Sequence, residues 1–228
     1  RKNNVSFMEA MLPTTSPNFS VIRRNLSRLG RIRRYFAAYC QYSSRYDKLQ
    51  QGDAANVFRT SMSGGATMDI GVYTIYPMVA LFGMPQSINA QGIILSGGVD
   101  GQAAVNMTYP DMNATVVYSK IADSYLPSEI EGEKGNLLMS GIHVIHDVTF
   151  IPHRKPMSGQ GPEEERRAVG VEIDKSDYFY ETAEFIDLVE KGKSESENNS
   201  WENSYNTLRV TDEIRRQLGV VFPTDSAK

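Results

Sequence analysis

After Gly83 the chain is broken into short apolar-alternating segments, and this most narrows what it can fold into. Residues 88–95, 102–109, 113–121, 129–131, 136–139, 142–150 and 167–173 each read as a strand. The breaks carry turn residues: Gly97-Gly98, Pro110-Asp111, the stretch 132–135 and the stretch 158–162. Strands that follow one another through short turns pair antiparallel, because a parallel partner needs a long crossover. Helical patterns lie on both sides of this block. Ser16-Pro17 opens a helix with Phe19, Ile22, Leu26 and Leu29 on one stripe, closed at Gly30. A second begins near Gly64-Gly65 and runs to Gly83, with Met68, Val72, Ile75, Val79 and Phe82 as its buried stripe. Beyond the strands, a Ser176-capped helix turns Phe179, Ala183, Ile186 and Val189 inward and ends at Gly192. A last helix runs over 200–218 to Gly219. Residues 5–11 and 31–42 read as extended, and 43–60 as a long loop. The order predicts an α+β fold: a large, mostly antiparallel sheet with helices on one face. The opposite face then needs a cover, and a second copy of the chain supplies it most simply.

With 228 residues and 40% apolar content the chain has enough material for a sizeable core. No run is long and apolar enough for a membrane span, so no membrane partner is expected. Its single cysteine, Cys40, has no internal disulfide partner, and a cytoplasmic location is expected. The net charge of −3 conceals an asymmetry, with 11 basic and 3 acidic residues in 1–60. Six of those arginines lie between Arg23 and Arg34, across a helix end and a strand start. No nucleic-acid motif accompanies them, so they read as a solvated face and no nucleic-acid partner is expected. Residue 1 is Arg, and the chain reads as a piece of something longer.

Chemistry concentrates in Ser63-Gly64-Gly65-Ala66-Thr67-Met68-Asp69-Ile70-Gly71-Val72-Tyr73. Asp69 and Tyr73 are four apart and share one helix face, with Tyr76 near it. Two glycines before the helix permit close backbone approach. Pro77 opposes the carbonyl of Tyr73, which predicts a kink at the site. A phenol beside a carboxylate suits proton exchange at an alcohol or carbonyl, provided a cation lowers the phenol's pKa. No metal site is expected: His143 and His146 fall on opposite sides of a strand, and His153 follows a proline. Cys40 reads as a core thiol. No phosphate- or dinucleotide-binding glycine loop is present.

These residues resemble the glucose–fructose oxidoreductase/inositol dehydrogenase (Gfo/Idh/MocA) family. The stretch from Gly64 to Tyr73 is similar to its G-G-x-L-x-D-I-G-x-Y segment. Phe7-Met8-Glu9-Ala10-Met11, Leu29-Gly30-Arg31-Ile32-Arg33 and Ile130-Glu131-Gly132-Glu133-Lys134-Gly135 resemble further family motifs, as does the closing stretch 214–223. The resemblance implies a two-domain oxidoreductase of which this chain is the C-terminal domain. Residues 1–12 would then be the last strand of an N-terminal Rossmann domain, and 13–228 the substrate-binding and oligomerisation domain. It implies NAD or NADP, held mainly by the other domain together with that domain's catalytic lysine, and a sugar or polyol substrate. A homodimer or tetramer through the sheet face is implied as well. Asp69 and Tyr73 map onto the family's catalytic D-x-x-x-[HY] pair, with tyrosine as in the dihydrodiol/xylose dehydrogenase-like branch. Gly64 and Gly65 would approach the cofactor, and Leu12, Tyr46 and Tyr76 the substrate. Leu12 stands where that branch has Trp, which removes an aromatic wall and counts against aromatic diols. A catalytically idle relative acting as a binding or dimerisation scaffold is the alternative.

Overall fold

A computed structural model describes residues 3, 5–53, 55–153 and 165–226. Eight strands form one sheet: β1 (Ile32–Cys40), β2 (Ser87–Ile94), β3 (Asp100–Thr108), β4 (Asn113–Ser119), β5 (Ser128–Gly132), β6 (Gly135–Met139), β7 (Thr149–Pro152) and β8 (Arg167–Ala168). Their spatial order is β2-β3-β4-β1-β5-β6-β7-β8. Only β1 and β4 run parallel, with Tyr35 opposite Ala114 and Ala37 opposite Val116. The other six pairings are antiparallel. The expected α+β architecture is what forms.

Alternation fixes which face is buried. Tyr35 and Ala37 of β1, Val105 and Met107 of β3, Val116 and Tyr118 of β4, and Ile130 and Leu137 of β5 and β6 all enter one core. Helices cover that face, and Phe19, Ile22 and Leu29 from the N-terminal part of the chain enter the same core. The helix α4 (Val72–Phe82) lies over β1 and β4, and α6 (Trp201–Leu218) packs on β2 and against α4. The helix α2 (Pro17–Asn25) starts as expected, with Ser16 Oγ accepting from the Asn18 backbone N–H. It follows the short α1 (Leu12–Thr15).

Five expectations need correction. Residues 43–60 are not a bare loop. Ser43 caps α3 (Ser44–Gln50), and Tyr46 and Leu49 pack on a small separate cluster of Val57, Phe58 and Val99. Residues 5–11 run extended but pair with no strand among the described residues. Their backbone is held instead by 193–201, through Phe7 N–H to Ser194 C=O (3.0 Å) and the Trp201 indole to Phe7 C=O (3.0 Å). Of 142–150 only the end is strand, because 141–148 wraps over Asn18, whose amide donates to Ile145 C=O. Residues 167–173 give a two-residue strand at the sheet's edge. The helix α5 (Asp177–Glu190) does not turn its predicted stripe inward: Phe179, Ile186 and Val189 are about half exposed and Leu188 is the buried one. It packs against α1, not over the sheet, and among the described residues that stripe stays about half exposed. The expected turn at 158–162 lies outside the described residues.

The arginine-rich stretch is neutralised locally. Arg34 pairs with Glu131 at 2.7 Å, Arg33 pairs with Glu133, and Arg28 lies over the Phe150 ring. No helix among the described residues is long and apolar enough to cross a membrane.

Candidate active site

The helix bearing the glycine-rich segment begins irregularly. Thr67–Gly71 form a π-turn that runs directly into α4. Such widened turns recur where a helix presents functional groups. This irregularity lies N-terminal to the kink expected at Tyr73, and Pro77 sits inside α4. The cause is visible in the core beneath it. Asp100, at the start of β3, is buried and accepts from both the backbone N–H and the hydroxyl of Thr67, each at 2.7 Å. The Tyr118 hydroxyl lies 2.8 Å from the same Thr67 oxygen. Burial is the leading influence on Asp100 and pushes its pKa up, while the Thr67 bonds oppose it.

Gly64 and Gly65 are both buried in this start. A Cβ on Gly64 would lie 2.5 Å from Val57 C=O, and one on Gly65 would lie 2.3 Å from Asp100 Oδ1. Gly65 also has φ +120°, a conformation that disfavours side chains. The glycines therefore have an internal packing role. Gly64 in addition borders a recess of about 280 Å³ with Arg45, Asn56, Ser63, Met68 and Asp69.

Asp69 and Tyr73 share a face, as their spacing requires. Both line a cleft of about 260 Å³ together with Glu9, Met11, Val72, Tyr76, Ser204 and Thr207. Asp69 also borders the Gly64 recess and so stands between the two hollows. Met68 and Val72, expected in the buried stripe, are half-buried and line the cleft. The buried side of the segment is carried by Ala66, Ile70, Ile75, Met78 and Val79.

The Asp69 carboxylate accepts from the Lys120 ammonium. Lys120 is only 8% exposed and follows directly on β4. No sequence pattern pointed to it, since it lies 51 residues away; only the alternation after Tyr118 places it on the inner face. Tyr73 is half-buried, and its ring meets Tyr39 of β1 edge-on at 6.0 Å. His143 stacks on the other side of Tyr39, with ring centroids 4.0 Å apart and planes 3° from parallel. Burial pushes the Tyr73 pKa up, and Asp69, Glu181, Tyr178 and Glu9 push it further the same way. Within this chain the phenol therefore keeps its proton, the form that donates.

Tyr76 is buried, lines the cleft, and has its pKa pushed up to about 12, mainly by burial. Its hydroxyl lies 3.3 Å from Ser204 Oγ. Leu12 is half-buried in α1 beside the cleft-lining Met11. Tyr46 packs against Phe58 and Tyr42 in the second cluster, not in the cleft. His146 binds Asp177 at 2.7 Å, and no group of metal-binding residues forms among the described residues. Cys40 is half-buried, and burial raises its thiol pKa.

Residues 25–138 match a family model described as the GFO/IDH/MocA C-terminal domain. The chain is 41% identical over 227 residues to scyllo-inositol 2-dehydrogenase (NADP(+)) IolU of Bacillus subtilis (strain 168), covering 100% of this chain and 66% of that protein. It is 29% identical over 169 residues to trans-1,2-dihydrobenzene-1,2-diol dehydrogenase of Danio rerio, covering 72% of this chain and 49% of the relative. The chain thus spans two thirds or less of the length of these relatives. Among solved structures, levoglucosan dehydrogenase in complex with NADH and levoglucosan superposes with a TM-score of 0.74 at 15% identity, over 95% of this chain and 65% of that one. At that identity the likeness is one of fold.

Proposed function

The chain belongs to the GFO/IDH/MocA family, and on that footing we propose that it is the substrate-binding and oligomerisation part of an NAD(P)-dependent oxidoreductase acting on CH–OH groups of a sugar or polyol. The carrying observation is the half-buried Tyr73 phenol on the wall of a cleft that mixes polar and apolar groups, beside an Asp69 carboxylate held by Lys120. In this reading Tyr73 gives its proton to a substrate carbonyl oxygen, or takes one from a hydroxyl. Asp69 orients that hydroxyl, and Lys120 fixes Asp69. Tyr76 borders the substrate from α4, and Leu12 bears on it through Met11. Tyr46 acts from further off, by bracing the helix α3 that carries Arg45.

A bound nicotinamide supplies or accepts hydride. The recess beside Asp69 is open and of mixed lining, with Asn56, Ser63 and Asp69 beside Val57, Met62 and Met68, which suits the amide and ring of the nicotinamide end, with Gly64 on its surface and Gly65 supporting it from behind. Residues 1–12 would lead from the dinucleotide-binding domain, and 13–228 form this one. The relative's name makes NADP the first cofactor to try. Every influence on the Tyr73 phenol from the described residues raises its pKa, and in this reading the base form used in alcohol oxidation draws on a cation of the dinucleotide-binding domain. The whole enzyme would assemble as a homodimer or tetramer through the uncovered sheet face.

The test is turnover by the full-length enzyme with NADP or NAD across inositols, aldoses and other polyols. Tyr73→Phe should lower kcat on the order of 10²- to 10⁴-fold. An enzyme inert to the whole panel would favour a second reading, an idle scaffold, which the acidic setting of Tyr73 supports.

A further inference from the structure

We propose that the α6 wall of the cleft is a hydroxyl-recognition subsite for an uncharged polyol or sugar, with Thr207 as its specificity-determining residue. This rests on the dehydrogenase reading above and deepens it. Thr207 is 3% exposed, and its hydroxyl has no hydrogen-bond partner among the described residues. A buried hydroxyl left unpaired costs free energy, and a fold keeps such a group where something else pairs with it. Thr207 lines the same cleft as Asp69 and Tyr73, one turn along α6 from Ser204. The Tyr76–Ser204 contact, at 3.3 Å, is long for two hydroxyls, so both retain capacity for a better partner.

The rest of the lining selects the chemistry. Ala10, Met11, Val72 and Leu208 give apolar walls that suit the C–H surfaces of a ring. Glu9 and Asp69 are its charged members, and no Lys or Arg is among them. Among the described residues a phosphorylated sugar would meet the Glu9 carboxylate and an Asp69 carboxylate that already engages Lys120, with no Lys or Arg of the lining to receive the phosphate. A neutral molecule with several hydroxyls matches groups that both donate and accept. Tyr73 and Asp69 would hold the reacting carbon's oxygen, and Thr207, Ser204 and Tyr76 the hydroxyls remote from it.

The measurement is steady-state kinetics of the full-length enzyme with myo-inositol, whose axial hydroxyl makes its positions distinguishable, and its positional monodeoxy analogues, alongside calorimetric binding and thermal melting. Thr207→Val should raise KM, and weaken binding, roughly 3- to 10-fold, with kcat lowered far less. The same change removes an unpaired buried hydroxyl, so its melting temperature should rise. Thr207→Ser should restore KM. The Val penalty should vanish for the one deoxy analogue that lacks the contacted hydroxyl. Equal affinity of wild type and Thr207→Val for every polyol, or an equal penalty on every analogue, overturns the subsite. Wild-type enzyme that binds polyol in the calorimeter without turnover overturns the dehydrogenase reading instead, and a weakened Thr207→Val in that same experiment still supports the subsite.

Discussion

At the residue scale, the site is a chain of ring contacts behind one phenol. Tyr73 meets Tyr39 edge-on, and His143 stacks flat on Tyr39. His143 Nδ1 is buried with no hydrogen-bond partner among the described residues. Burial is the main cause of its lowered pKa; His146 adds to the lowering and Asp177 opposes it. The folded state therefore prefers neutral imidazole. Its contribution to stability is complete above the free imidazole value of 6.5 and is lost as pH falls through the lower folded value. His143→Phe keeps a ring on Tyr39 but cannot take a proton. Between about pH 7 and pH 5, wild type should lose melting temperature relative to His143→Phe by on the order of 2 °C. Parallel melting curves over that range would remove the stack from the pH response. Sequence spacing placed Asp69 and Tyr73 together because a helix fixes i and i+4 on one face. It had no purchase on Tyr39 and His143, which meet only because β1 and the 141–148 segment pass the same point.

At the element scale, one strand sets the register of the π-turn that carries Asp69. From the end of β4, Tyr118 reaches Thr67 and Lys120 reaches Asp69, so the π-turn Thr67–Gly71 is pinned at both a hydroxyl and a carboxylate. Asp100 at the start of β3 adds the third anchor, against Gly65. Lys120→Met should leave the fold intact but release the Asp69 carboxylate. A group misplaced by about an ångström costs on the order of 10²-fold in rate, and kcat should fall by that order. Lys120→Arg should recover part of it. Unchanged kcat in Lys120→Met would mean that the ion pair has no part in positioning. The glycines illustrate a second point at this scale. Their pattern was legible as a demand for close approach, but only the packed chain identifies Val57 and Asp100 as what approaches them. For α5 the apolar spacing was read correctly as a stripe. Which way it faces depends on what lies beneath, and beneath α5 there is α1 rather than the sheet.

For the whole molecule, the consequential feature is the sheet face that no helix among the described residues covers. Ala104 pairs across to Val117, and Val117 to Ala38, so the middle of that face is apolar, with Phe36 and Leu138 nearby and Ile93 48% exposed toward one edge. A second copy of the chain would bury it. Ala104→Lys places a charge at that centre and should shift the protein from dimer to monomer in sedimentation equilibrium. A surface substitution of this kind should change monomer stability by only about 0.5 kcal/mol. A wild-type chain that sediments as a monomer at micromolar concentration would refute the sheet-face assembly. By itself the sequence determined the sheet, its antiparallel turns, the Ser16-capped start of α2 and the Asp69–Tyr73 pair, whereas Ser176 stands before α5 without the side-chain capping bond expected of it. All of these are set by periods of two and 3.6 residues and by turn chemistry within a few positions. Tertiary structure alone decided the parallel β1–β4 pairing, the Lys120–Asp69 ion pair and the unpaired Thr207 hydroxyl, because each joins segments dozens of residues apart and no local pattern carries that information.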